Sequence, residues 1–378
     1  MAIRAEKKAF NLREKLSELD RPVGSHGSQL LKSDSLKETC GLVGLSGRRN
    51  LIRNGSFDIW QRGTSFANKG VTLYTADGWK IYGAGAVTIT TTRQTFALGQ
   101  KDVPGNPKYF LRVDQTPDSD NSAWVEIQHH FEDVTRFSDC WVTLSFWARA
   151  NTNQAQYITS RASYFGIYQN FGSGGSPSSQ YRCAHTPKFG LNINWTYYEF
   201  PIYLPSIQGK TLGTDVNSSY LKMHMLQEPS AVTGDTYFDF ANFQLEYGRG
   251  ATPFERRPID EELARCQRYF TFVPSGTVFA GRGASSSTYL YSYTTPVPLR
   301  ASPTVGKSDD IAHGTFSIRR YRDSAGVSDS TNTPTTNSTY FQPWTNMIHF
   351  AQDGFTAVDD RSATLFISGG GITLSAEF

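Results

Sequence analysis

Apolar and polar positions alternate with a period of two in short runs along most of the chain, and turn-forming residues separate the runs. This is the signature of strands with one buried face. Between residues 49 and 257 such runs occupy 87–92, 109–113, 124–130, 141–148, 196–204, 220–226 and 237–245. In the fourth, Val142, Leu144 and Phe146 share a face. In the last, Phe238 and Phe240 are followed, after a shift of phase, by Phe243 and Leu245, which predicts a β-bulge at Ala241 and Asn242. A second set of runs occupies 287–295, 315–321, 347–351, 363–367 and 372–378, with Pro296, Pro298 and Pro303 punctuating the connection after the first of them. The pattern predicts an all-β chain, with a β-sandwich over 49–257 and a second, smaller β-sandwich over 274–378. The Gly/Ser-rich segment 172–179 and the Ser/Thr/Asn-rich segment 324–338 are predicted to be loops, the first of them mobile.

Two stretches depart from this period. In residues 1–48, Phe10, Leu12, Leu16 and Leu19 form one apolar stripe that Pro22 ends, and Leu30 and Leu31 begin a second, weaker one. The first 50 residues carry ten Lys/Arg against six Asp/Glu and none of the β patterning. Such a segment cannot build a core alone, so a short helical or extended docking segment that orders against another protein is expected; the alternative is a frayed tail. Residues 258–273 read as a linking helix, with Pro258 at its start, Asp260, Glu261 and Glu262 in the first turn, and Leu263, Cys266, Tyr269 and Phe270 as its stripe.

Composition narrows the function. Aromatic residues are 13% and charged residues 19% of 378, and Gly numbers 33, which suits aromatic-filled sandwiches with uncharged, turn-rich surfaces. A net charge of +3 is too small for nucleic-acid binding by phosphate neutralisation. There is no apolar run of membrane-spanning length and no secretory signal, so synthesis in a cytoplasm is expected. The four cysteines, Cys40, Cys140, Cys183 and Cys266, lie far apart and are expected as reduced thiols.

Catalytic chemistry is sparse. The seven histidines form no metal-binding spacing, and His129 and His130, adjacent in a strand, must face opposite sides. Acids that could serve a polysaccharide depolymerase are Asp114, Asp118, Asp120, Glu126, Glu132, Asp133, Asp359 and Asp360, but each has an ordinary reading at a turn or strand end. No catalytic residue is assigned, and a non-enzymatic protein is expected.

Three stretches are distinctive as a set. The first runs from Asn50-Leu51-Ile52-Arg53-Asn54-Gly55 through Phe57 and Trp60 to Asp77-Gly78-Trp79. The second is Leu144-Ser145-Phe146-Trp147-Ala148-Arg149. The third runs from Phe243-Gln244-Leu245-Glu246 through Thr252-Pro253-Phe254-Glu255-Arg256 into Arg265-Cys266-Gln267-Arg268-Tyr269. In this order they resemble phage tail-fibre and related virion proteins, and the first also resembles the opening of the jelly-roll carbohydrate-binding modules of glycoside hydrolases. The resemblance implies a jelly roll over 49–257, location in the virion, assembly with other virion proteins (tail, nozzle or adaptor, capsid) as a homotrimer, and contact with a host surface glycan. It also implies a possible structural Ca²⁺ where the first and last strands meet, with Asp58 and Asp239 as candidate ligands. Aromatic faces that could stack on sugars are sought beside the Gly/Ser loop, at Tyr164, Phe165, Tyr168 and Phe171, for which core packing is the alternative. A purely architectural adaptor or head-decoration subunit is the competing function.

Overall fold

The computed structural model describes residues 49–378 apart from 69–70, 85–87, 117–123, 152–162, 216, 228–235, 275, 284–288, 308–314, 321–327, 333–335, 343–346, 353–361 and 369–370. Phe10, Leu12, Leu16, Leu19, Leu30, Leu31 and Cys40 therefore lie outside the described residues.

Two six-stranded antiparallel sheets form the sandwich. Sheet I contains β1 (Ser65–Asn68), β4 (Ile89–Thr95), β5 (Tyr109–Gln115), β7 (Cys140–Ala150), β10 (Thr196–Leu204) and β12 (Thr236–Tyr247), in the order β1-β4-β5-β12-β7-β10. Sheet II contains β2 (Thr72–Tyr74), β3 (Trp79–Ala84), β6 (Trp124–Glu132), β8 (Ser163–Asn170), β9 (Tyr181–His185) and β11 (Tyr220–Gln227), in the order β2-β3-β6-β11-β8-β9. From β5 onward successive strands change sheets, except at β8–β9, which gives the chain jelly-roll character.

Alternation decides which side chains meet between the sheets. Val142, Leu144, Phe146, Ala148 and Ala150 of β7 are all buried and face Phe165, Ile167, Leu221 and Met223 of sheet II within one core. Phe146 and Phe243 stack at 4.8 Å between centroids, and Trp79 lies 4.9 Å from Phe243. Truncating a ring in such a cluster costs about 3–5 kcal/mol. The predicted bulge is present: the β12 register shifts between Ala241 and Gln244, and Asn242 has φ of 52°. The extra residue keeps Phe238, Phe240, Phe243 and Leu245 all inward and swings Asn242 to the outer face.

The first and third distinctive stretches form one buried closure. Asn54 Nδ2 donates to the carbonyls of Ile59 (2.8 Å) and Asp77 (3.1 Å), and its backbone N–H donates to Glu262 Oε1 at 2.6 Å. Trp79 Nε1 donates back to the Asn54 carbonyl. Arg257 donates to the carbonyls of Ile52 and Asn50 and pairs with Glu262 at 2.9 Å. Glu255 accepts from the Asn50 N–H at 2.7 Å. The residues that make the sequence recognisable thus hold the two ends of the sandwich together.

Helix α1 is shorter than expected, Ile259–Gln267 rather than 258–273. Residues beyond it form β13 (Phe270–Pro274), because an aromatic, β-branched Phe-Thr-Phe-Val run satisfies its backbone better on a neighbouring strand. That neighbour is β22 (Gly371–Ser375), which also pairs with the edge strand β16 (Thr304–Lys307). A seven-stranded antiparallel sheet completes the chain. It is ordered β18-β17-β21-β14-β15-β20-β19 and built from β14 (Val278–Gly283), β15 (Tyr289–Thr294), β17 (Thr315–Arg320), β18 (Ser328–Asn332), β19 (Thr336–Gln342), β20 (Met347–Gln352) and β21 (Ser362–Ser368). Strands β18 and β19 take up much of the expected loop 324–338. Polar Ser/Thr runs lack the alternation that would reveal them, and pairing with β17 and β20 supplies the order. Cys140, Cys183 and Cys266 form no disulfide with one another, and burial pushes the Cys183 thiol up to about 12.

Candidate functional site

The outer face of sheet I carries an aromatic-floored surface depression. Its floor follows from alternation: with Leu144 and Phe146 inward, Ser145 and Trp147 of β7 point outward. The register sets Tyr197 of β10 opposite Trp147 and Glu199 opposite Ser145. Asn242, lifted by the bulge, joins them from β12. One wall is Pro104, Gly105 and Pro107; the other is the segment Ala251, Thr252, Pro253, Phe254 and Arg256. The depression measures about 470 Å³, with Ser56 and Asp58 at one end.

The rings are held in place but remain accessible. Trp147 and Tyr197 lie 5.6 Å apart at 49°, and Tyr197 is 42% exposed. A small cluster of Val103, Phe110 and Ala241, against which Phe96, Trp147 and Trp195 pack, anchors the loop that forms the first wall. The polar groups are also fixed. Glu199 Oε1 accepts from the Ala251 N–H at 2.9 Å, and Asn242 Nδ2 donates to the Pro104 carbonyl at 3.4 Å. Below the second wall, Glu246 accepts from the Thr252 N–H (2.7 Å) and hydroxyl (2.8 Å), while burial raises its pKa above the ordinary carboxylate value. Such a floor offers a flat apolar surface beside a carboxylate, an amide and hydroxyls. That combination matches a sugar ring, whose C–H face is apolar and whose rim is hydroxylated.

The four aromatic candidates beside the Gly/Ser loop divide by strand parity. Phe165 and Phe171 are buried, at 0% and 1% exposure, and present no face to a ligand. Tyr164 and Tyr168 are half-buried on the outer face of sheet II. Tyr168 meets His224 edge-on at 4.8 Å, and Tyr164 lines a smaller depression of about 280 Å³ with Arg182, His185 and Lys188. The loop itself is stapled rather than loose: Ser173 N donates to Ser218 Oγ at 2.8 Å and Gly213 N to the Phe171 carbonyl at 2.8 Å. Trp147 is legible as the outward phase of the run whose inward residues are Val142, Leu144 and Phe146, whereas Tyr197 follows only from its pairing with Trp147.

The two candidate calcium ligands, Asp58 and Asp239, differ in their surroundings. Asp239 is fully buried, and both oxygens accept from guanidinium groups: Arg112 Nε at 2.7 Å and Nη2 at 2.8 Å, and Arg149 Nε at 2.8 Å. Two positive charges occupy the space a cation would need. Asp58 accepts from Ser56 Oγ at 2.7 Å in the aromatic depression. Ca²⁺ requires six or more oxygens, and among the described residues no three His, Cys, Asp or Glu converge on one point.

Of the acids considered for hydrolysis, Glu132 is paired with Arg268 through two 2.8 Å bonds, Glu126 with His224 and Lys222, and Asp133 accepts from the Thr135 N–H. Asp118, Asp120, Asp359 and Asp360 lie outside the described residues. Among the described residues no helix is long and apolar enough to cross a membrane.

No protein-family model and no curated protein matches the chain. Solved structures do align with it at low similarity. The family 11 carbohydrate-binding module of the cellulosomal cellulase Lic26A-Cel5E of Clostridium thermocellum is 14% identical, with a TM-score of 0.27, covering 46% of this chain and 90% of its own. The CBM22-1–CBM22-2 tandem of Xyn10C from Paenibacillus barcinonensis is 10% identical, with a TM-score of 0.27, covering 82% and 99%. The enzymatically active domain of tailspike protein 4 of bacteriophage CBA120 is 12% identical, with a TM-score of 0.30. It covers 52% of this chain, which spans about a fifth of that one, 21%.

Proposed function

We propose that the sandwich binds carbohydrate in the Trp147–Tyr197 depression, and that the chain serves as a tail-fibre or appendage subunit of a phage virion. In this reading residues 1–48 dock it to other virion proteins and the sandwich contacts a host surface glycan. The observation that carries the binding reading is the pair of outward rings at 5.6 Å, flanked by Glu199 and Asn242 between two fixed walls. The virion reading rests on the three distinctive stretches of sequence.

Binding, rather than hydrolysis, suits the polar groups. A glycosidase holds two carboxylates about 5–9 Å apart, one of them poised as an acid. Glu199 is instead spent on a backbone N–H at the rim, where it can accept sugar hydroxyls. Alanine at both Trp147 and Tyr197 should cut adsorption of the full chain to host cells by at least about tenfold, or about 1.4 kcal/mol, with an unchanged circular-dichroism spectrum. Deleting residues 1–48 should leave adsorption intact and abolish incorporation into particles. Undiminished adsorption by the double variant would place the glycan site elsewhere. Normal incorporation of the truncated chain would refute the docking role.

A further inference from the structure

We infer that the glycan taken by this site is acidic, carrying a carboxylate or phosphate substituent held at a basic extension of the depression; this rests on the proposed binding role. Asp58 and Arg256 line both the aromatic depression and a second one of about 670 Å³, so the two adjoin at this pair. The second is lined by Arg93, Lys108, Tyr109 and Pro258 beyond the shared pair. Its chemistry differs from the first. Arg93 lies over the Tyr109 ring at 4.4 Å and Lys108 over the same ring at 4.8 Å. Arg256 Nη1 reaches the carbonyls of Gly105 (3.3 Å) and Asn106 (3.4 Å), which holds the guanidinium at the junction and leaves its other N–H groups free to donate.

Arg257 also borders this basin but is committed to Glu262 and two backbone carbonyls. Arg93, Lys108 and Arg256 are not. Among the described residues none of the three makes an ion pair, whereas Arg112, Arg149, Arg265 and Arg268 all do. Three cations thus face one carboxylate, Asp58, which is itself held by Ser56. A neutral polysaccharide would leave these cations unused. A chain whose sugar stacks on Trp147 and Tyr197, and whose next residue bears an anion, would engage both ends. Guanidinium groups suit such an anion because carboxylate and phosphate accept paired N–H donors.

The test is an array of bacterial surface polysaccharide fragments that includes uronate-bearing, phosphate-bearing and neutral members, probed with the full chain at about 0.05 M and about 0.5 M salt. Bound members should be acidic, with signal falling steeply at the higher salt. The variant Lys108→Gln/Arg256→Gln changes two exposed side chains outside the core and should retain the wild-type melting curve. It should lose about tenfold or more on those members. Capture of neutral members with equal strength by wild type and this variant, but not by Trp147→Ala, would overturn the acidic-ligand inference and leave the cleft standing. Absence of any bound member, or binding unaffected by Trp147→Ala, would remove the proposed function itself.

Discussion

Gly55 shows how much of the fold rests on single residues. A methyl group there would collide with the Phe243 carbonyl oxygen, and backbone cannot yield as a flexible side chain can. The neighbouring Asn54 (φ 53°) and Phe57 (φ 57°) hold left-handed conformations that this closure enforces. Gly55→Ala should therefore destabilise the protein by about 2 kcal/mol or more, read as a lower urea midpoint at unchanged slope; stability equal to wild type would contradict the closure. The Asn54-Gly55 pair marks a turn in the sequence, and in the structure Phe57 and Trp60 beyond it lie in the core. Its partners were not visible, because Glu262 and Phe243 lie about two hundred positions away along the chain. Asp239 is a similar case: the resemblance implied a metal ligand there, and only strand pairing brings Arg112 and Arg149 onto it.

At the scale of elements, alternation located most of the long strands because one face of each is buried; in β8 it is hidden by Tyr164 and Tyr168 on the outer face. The seven runs of the sandwich match β4, β5, β6, β7, β10, β11 and β12 to within a few residues. Short or polar strands such as β1, β2 and β18 escaped, since their order comes from neighbours rather than from their own pattern. The same alternation places His129 and His130 on opposite faces of β6. His129 packs against Trp79 (4.9 Å) and His130 against Tyr220 (4.8 Å). Burial holds both well below the usual imidazole range; Arg53 adds to the effect at His129, and Lys80, Arg53, Lys222 and Arg300 at His130. The folded state thus keeps both neutral while the unfolded chain takes up protons below about pH 6.5. Their contribution is full above that pH and declines as pH falls toward the depressed folded values. Unfolding free energy should drop by about 1.4 kcal/mol per histidine per pH unit below 6.5. A His129→Leu/His130→Gln variant should show a shallower decline between pH 6.5 and 5.5. A wild-type profile flat across that interval would show that neither ring is buried neutral.

At the scale of the whole molecule, the last residues return to the sandwich. Glu377 lies 3.6 Å from Arg53 and 3.2 Å from Arg62, and the Phe378 ring sits among His130, Tyr220, Tyr269 and Arg300. These contacts tie the C-terminal residues to the outer face of sheet II at β6 and β11, while among the described residues Tyr197 on the outer face of sheet I stays 42% exposed. The location of that site was the part least legible in the sequence. Aromatic residues are plentiful, and only the sheet pairing tells core rings such as Phe165 from presented ones such as Tyr197. A weak site of this kind gains strength when several copies act together, as the homotrimer that the sequence resemblance implies would allow. The most direct measurement is a crystal structure of the full chain bound to a fragment of host surface polysaccharide. The account predicts a sugar ring stacked on Trp147 and Tyr197, between Pro104–Pro107 and Ala251–Phe254, with its glycosidic bonds intact. A fragment seated instead on Tyr164 and Tyr168, or cleaved at Glu199, would contradict it.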